Sequence, residues 1–293
     1  MIPVARSVDS LRKRRPEWSP WLAVVDEVQR EAMTARWETA VPSGRREMEA
    51  AAPLLSGTIV RIDEDAARRM LLRLVDIASR GGTAKMAALR PALGGGLEIA
   101  VLFRASLRHD TDTVATLAAA AGADADALQA LVSLLAVPFL HACARAWRPA
   151  VPMAWMQGYC PICASWPAFA EMRGIERSRM LRCGRCGSEW HGAILRCAYC
   201  GNHDHNELAT LVAGQNGSTG DVEACRRCRQ YVKVLTRLQG CAPREVMLEE
   251  MATVDLDIAA IQSGYTRPVG AGRDLDVDVQ VAPRVRRLFT GQA

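Results

Sequence analysis

Apolar residues recur at helical spacing through most of the first half of the chain. Between Glu17 and Ala40 the positions Trp21, Leu22, Val25, Val28 and Met33 fall near one helix face, and Pro42, Ser43 and Gly44 stop the pattern. A second helix is expected over Asp63 to Ser79, with Ala67, Met70, Leu71, Leu74, Val75 and Ala78 on one side and Gly81–Gly82 closing it. Further helices are expected over Leu97–Arg108 and Thr111–Ala120. A long one follows from an Asp124 cap to Trp147, kinked at Pro138. The first fifteen residues are basic, lack an apolar period and read as a loose arm. The triple glycine Gly94–Gly96 has neither a following Lys-Ser/Thr nor a flanking strand, so it reads as a connector and not as a phosphate loop.

The pattern changes near Pro149. From Met153 to Arg237 short β-prone runs alternate with glycine-bearing turns, and strands are expected over Arg179–Arg182, Trp190–Arg196, Leu208–Val212 and Tyr231–Leu235. Ser218–Gly220 reads as part of a turn-rich loop. Helical spacing returns over Pro243–Ser263, through Val246, Met247, Met251, Val254, Leu256 and Ile258, and the last thirty residues read as mixed surface chain. The expected class is α+β. An all-α helical domain (1–152) precedes two small ribbon-like metal modules (153–240), and a C-terminal helix and tail (241–293) complete the chain.

Composition narrows the function. The 293 residues are 49% hydrophobic and only 5% aromatic, enough for a packed core weighted toward helix. The net charge of +5 is interspersed past the N-terminal arm, and a nucleic-acid footprint would need clustering. The one membrane-like run, Ala127–Ala144, is short and interrupted by Gln129, Ser133, Pro138 and His141, so it is expected as a core helix and not as a membrane span. The sequence after Arg14–Arg15 lacks an apolar export region, which points to a cytoplasmic protein whose thiols stay reduced.

The chemistry lies in the cysteines. Eight of ten form four Cys-x-x-Cys pairs: Cys160/Cys163, Cys183/Cys186, Cys197/Cys200 and Cys225/Cys228. Such a pair makes a knuckle that aims both sulfurs at one ion, and Gly187 and Gly201 follow two of the knuckles where left-handed backbone is often required. Two knuckles supply the tetrahedral four-thiolate set that suits zinc or a single iron. Nineteen residues separate Cys163 from Cys183 and twenty-four separate Cys200 from Cys225, lengths that fit a β-hairpin, whereas only ten separate Cys186 from Cys197. The first knuckle is therefore paired with the second and the third with the fourth. The competing arrangement nests a second-plus-third site inside a first-plus-fourth site. His191, His203 and His205 are expected at the surface or behind the ligands, Cys143 in the core, and Cys241 without an assigned role.

These residues resemble the FdhE-type formate dehydrogenase accessory (formation) proteins. The resemblance runs through Cys160-Pro-Ile-Cys163-Ala-Ser-Trp-Pro167, and then through Met180–Cys186 with Glu189-Trp190-His191 and Arg196–Gly201. It continues through Cys225–Cys228 with Tyr231 and Lys233, then Ala252–Asp257 and Gly264–Arg267. It spans Gly158 to Arg267 and departs at Ala164, where a glycine is common. It implies two rubredoxin-like modules behind a helical domain, two metal ions with iron ahead of zinc, and a role in producing active respiratory formate dehydrogenase. It also implies contact with that enzyme's exported molybdenum- or tungsten-containing catalytic subunit.

Three functions compete. An assembly factor would fold a docking surface around its metals or answer to redox state, and iron would leave electron transfer open. A nucleic-acid-binding zinc ribbon is kept open by Arg182, Arg185, Arg226, Arg227 and Arg229, although no aromatic platform is interleaved with them. For an enzyme, no Ser/His/Asp set is evident, and full thiolate coordination leaves no substrate position.

Overall fold

Aspartate and hydroxyl caps open five of the ten α-helices in this computed structural model, which describes residues 7–43, 51–93, 98–212 and 220–283. Ser7 Oγ accepts from the Ser10 N–H and opens α1 (Val8–Arg14). The arm expected to be loose is thus helical from Val8 onward. Val8 and Leu11, three apart, pack with Leu22, Val25 and Leu248, so distant segments supply the surface that makes two apolar residues sufficient. The helix expected over Glu17–Ala40 divides into a 3-10 turn (Pro16–Trp18), α2 (Ser19–Ala32) and a second 3-10 stretch (Ala35–Ala40).

Asp63 caps α3 (Glu64–Gly81), Thr83 caps the unanticipated α4 (Ala84–Ala92), and α5 covers Ile99–Arg108. Asp110 caps α6 (Thr111–Ala121), and Asp124 caps α7 (Ala125–Leu135) as expected. The kink expected at Pro138 is a break at Ala136, whose N–H bonds Ser106 Oγ, and α8 (Val137–Trp147) carries Pro138 in its first turn. Residues 125–150 are apolar enough to cross a membrane by composition, yet 72% of their most apolar window is buried inside the protein. Gly94–Gly96 lies outside the described residues.

Two strands amend the helical reading of the chain ends. β1 (Thr58–Ile62) pairs in parallel with the C-terminal β8 (Val277–Val281), in register from Thr58↔Val277 to Ile62↔Val281. Val60, Ile62, Leu275 and Val277 belong to the helical core, so the segment expected along the surface returns to the N-terminal part. A parallel partner 219 positions away leaves no local turn signature, which is why the pairing is invisible in sequence.

The metal region folds twice in the same order: knuckle, strand, antiparallel strand, knuckle, strand. The first round uses β2 (Pro167–Arg173), β3 (Ser178–Cys183) and β4 (Glu189–His191). The second uses β5 (Leu208–Val212), β6 (Gly220–Cys225) and β7 (Tyr231–Arg237). Parallel pairing of β2 with β7 joins the two ribbons into one sheet of order β4-β3-β2-β7-β6-β5. β2 was not anticipated because it is buried on both faces and shows no alternation. β4 stops at His191, short of Arg196; the Gly192 N–H makes one more bond to β3, at Arg179 O, before the chain departs toward the third knuckle. Gly220, expected in a loop, opens β6, while residues 213–219 lie outside the described set. The single helix expected over Pro243–Ser263 is a 3-10 turn, α9 (Val246–Ala252) and α10 (Val254–Gln262), interrupted at Thr253.

Candidate metal centres

Each knuckle closes through the same two backbone bonds. The N–H of Ala164, Gly187, Gly201 and Arg229 donates to the carbonyl of Cys160, Cys183, Cys197 and Cys225 at 2.9–3.1 Å. Those four cysteines in turn donate their N–H to the carbonyls of Ser165, Ser188, Asn202 and Gln230 at 2.8–3.0 Å. All four closing residues have positive φ: Gly187 and Gly201 at 72°, as the sequence suggested, and also Ala164 at 61° and Arg229 at 59°. The alanine departure therefore leaves the first turn intact, at the cost of placing a Cβ in left-handed backbone. The unnoticed sequence signal was the polar residue two positions after every second cysteine.

These turns bring together Cys160, Cys163, Cys183 and Cys186 in one group and Cys197, Cys200, Cys225 and Cys228 in another, each with all sulfurs within 4.8 Å of one another. The grouping is the sequential one, and the nested arrangement is not formed. Across the first group Cys160–Cys186 and Cys163–Cys183 are both 3.5 Å apart; across the second, Cys197–Cys228 is 3.7 Å and Cys200–Cys225 is 3.8 Å. A tetrahedron with metal–sulfur bonds of about 2.3 Å has sulfur–sulfur edges of about 3.8 Å, so both donor sets fit a single ion.

The two groups differ in environment. All four cysteines of the first are buried within the helical core, together with Trp155 and Trp190. The second opens to solvent at Cys200, which is exposed, and at Cys228, which is half-buried. Burial raises the Cys160 and Cys186 thiols, while hydrogen bonds from Cys160, Cys183 and Cys186 hold Cys163 well below the ordinary thiol range. Burial likewise pushes Cys197 up to about 11. At Cys225 burial is outweighed by the backbone N–H groups of Cys228 and Arg227, and the thiol is lowered. A metal cation held by these sulfurs would take the place of the thiol protons.

Side chains around the first group tie it to the helices. Ser188 Oγ lies 2.8 Å from Cys186 Sγ and 3.1 Å from Cys160 Sγ, and Ser165 Oγ lies 3.4 Å from Cys163 Sγ. Ser165 also meets His109 Nε2 at 3.0 Å. Arg185, inside the second knuckle, meets the same His109 nitrogen at 3.0 Å and donates to Ser106 O at 2.9 Å. It thereby satisfies a carbonyl in the last turn of α5, where the helix dipole favours a cation. Burial first, and Arg185 second, lowers His109 to about 3.

The C-terminal signature serves the other side of the sheet. Asp257 accepts from Lys233 Nζ and from the Tyr231 hydroxyl, each at 2.8 Å, and pairs with Arg267 at 3.1 Å. Lys233 is fully buried, as is Glu171, which pairs with Arg173 and Arg182 and accepts the Cys241 N–H. That bond places Cys241, while Cys143 is buried in the helical core. His191, His203 and His205 are exposed and belong to neither sulfur group. Of the five arginines near the knuckles, Arg182 and Arg185 point inward and Arg229 lies over the Tyr265 ring at 4.6 Å. Arg226 and Arg227 are exposed.

An aromatic row links the two groups. Trp155, Tyr159, Trp166 and Tyr199 meet edge to face in succession at 5.2–6.2 Å between centroids, from the lead-in of the first knuckle to the interior of the third. At the same junction Gly158 is pressed so closely on Ala198 that an added Cβ would sit 1.5 Å from its carbonyl oxygen.

No family model matches the chain, and no curated protein matches it. A solved structure does: the FdhE protein from Pseudomonas aeruginosa. It is 20% identical, with a TM-score of 0.51 over 88% of this chain and 89% of that one. The chain thus resembles, in fold, the FdhE-type protein that its knuckles and C-terminal signature already suggested.

Proposed function

We propose that this chain is an accessory factor in the maturation or assembly of respiratory formate dehydrogenase, acting in the cytoplasm on that enzyme's catalytic subunit. The observation that carries the reading is the fold shared with FdhE over nearly the whole chain. In this reading Cys160, Cys163, Cys183 and Cys186 hold one ion and Cys197, Cys200, Cys225 and Cys228 a second, within a metal region (153–240) set between a helical domain (1–152) and a C-terminal segment (241–293). Iron is put forward ahead of zinc; when bound it would supply one-electron chemistry, whereas zinc would supply rigidity alone. The role is non-catalytic, because four sulfurs at each centre leave no position for a substrate. The inward direction of Arg182 and Arg185 favours a protein client over a nucleic acid.

Co-purification with a formate dehydrogenase catalytic subunit, abolished in a Cys163→Ser variant, is the expected result. Salt-sensitive binding to DNA or RNA without client capture would overturn it. Metal analysis after anaerobic expression decides the redox part: two irons keep it, and two zincs remove it.

A further inference from the structure

A cavity of about 240 Å³ lies beside the exposed end of the second cysteine group, bounded by Gln157, Trp166, Arg179, His191, Arg196 and Cys200. Its lining contains two guanidiniums and an imidazole but no carboxylate. Arg196 is exposed and makes no hydrogen bond or ion pair among the described residues, and neither does the His191 side chain. Arg179 is buried, and its terminal nitrogens donate to Glu223, which faces a different groove, and to Ala193 O.

Glycines keep these cations within reach of the cavity. A Cβ at Gly192 would come within 2.8 Å of an Arg179 terminal nitrogen, and one at Gly201 within 3.3 Å of its Arg196 counterpart. The hydroxyls of Tyr159 and Tyr199, whose rings line the same space, are turned away to backbone carbonyls. Arg196 and His191 thus bring side-chain nitrogens to the lining that are unpaired among the described residues. The sulfurs of Cys197 and Cys200 also line the space and oppose an anion, so binding depends on the arginine charge.

We propose that this cavity is an oxyanion site in which Arg196, supported by His191 and Arg179, holds a small carboxylate or phosphate group beside the second cysteine group. Guanidinium is the cation suited to both groups, because its fork pairs with two oxygens at once. A volume of about 240 Å³ has room for a small anion. The site stands whether or not the chain serves formate dehydrogenase.

The test is calorimetric titration of the full-length, metal-loaded protein with sodium phosphate, and separately with sodium formate as the smallest carboxylate, at constant ionic strength set by chloride. One-to-one binding of at least one anion is expected, and the anion that binds identifies the source. Arg196→Gln should weaken it about tenfold, as loss of one charge-assisted hydrogen bond requires. Arg227→Gln removes the same charge near the same cysteines without touching the cavity and should leave it within about twofold. Absence of binding by both anions would overturn the proposal, as would equal weakening in the two variants, which would reduce the effect to diffuse charge.

Discussion

Gly158→Ala tests whether the two knuckle pairs are rigidly docked. The added methyl would lie 1.5 Å from Ala198 O, where real Cβ contacts do not fall below 3.0 Å, so the first and third knuckles must separate by about 1.5 Å. The obstacle is backbone on both sides, which a rotamer change cannot relieve. Overpacking of this kind costs about 3 kcal/mol, or a fall in Tm of about 6–12 °C for a chain of this size. A control isolates the clash: Gly122→Ala has open space at Cβ but a φ of 65°, so it should cost only about 1 kcal/mol. Differential scanning calorimetry of the two variants, with release of metal to a colorimetric chelator measured in parallel, reads both consequences. Displacing Ala198 moves the third knuckle, so Gly158→Ala should also speed metal release. Equal Tm values for the two variants would refute the reasoning, because the close approach would then carry no energy.

Three further outcomes follow from the same structure. Metal should leave in two phases under excess chelator, the second cysteine group first because Cys200 is exposed; Cys200→Ser should abolish the fast phase alone, measured by absorbance. Lys233→Met leaves Asp257 facing Tyr231 and Arg267 without its buried cation, and should cost about 3 kcal/mol in urea unfolding; a change below about 0.5 kcal/mol would contradict the pairing. Burial, with Arg145 second, lowers His141 to about 4, so the unfolded chain takes up a proton near pH 6.5 that the folded one refuses, and stability falls as pH drops from there toward 4. His141→Gln should remove about 1–2 kcal/mol of the stability lost between pH 7.5 and 5, and an unchanged pH dependence in urea midpoints would count against it.

Much of the candidate site was legible because a knuckle is a local object. Two cysteines three apart, a turn residue and a hairpin-length gap specify a four-sulfur cluster without reference to the rest of the chain. The Asp63 and Asp124 caps and the apolar face of α3 were legible for the same reason, since their partners lie within one or two helical turns. By contrast, α1 was missed because its two apolar anchors gain their meaning from Leu22, Val25 and Leu248. The splitting of the long C-terminal helix at Thr253 was hidden in an unbroken apolar period.

The sequence by itself put forward the sequential pairing of the cysteines, the helical character of the first half and a family resemblance. Only the tertiary structure decided that β1 joins β8, that β2 beside β7 makes one sheet of two ribbons, and that one cysteine group is buried while the other faces solvent. It also decided that Arg182 and Arg185 face inward while Arg196, unpaired among the described residues, lines a cavity. The reason is range. Turn geometry and helical periodicity act over a few residues and are written in spacing, whereas burial and strand pairing depend on segments from tens to more than two hundred positions apart, which no local pattern encodes.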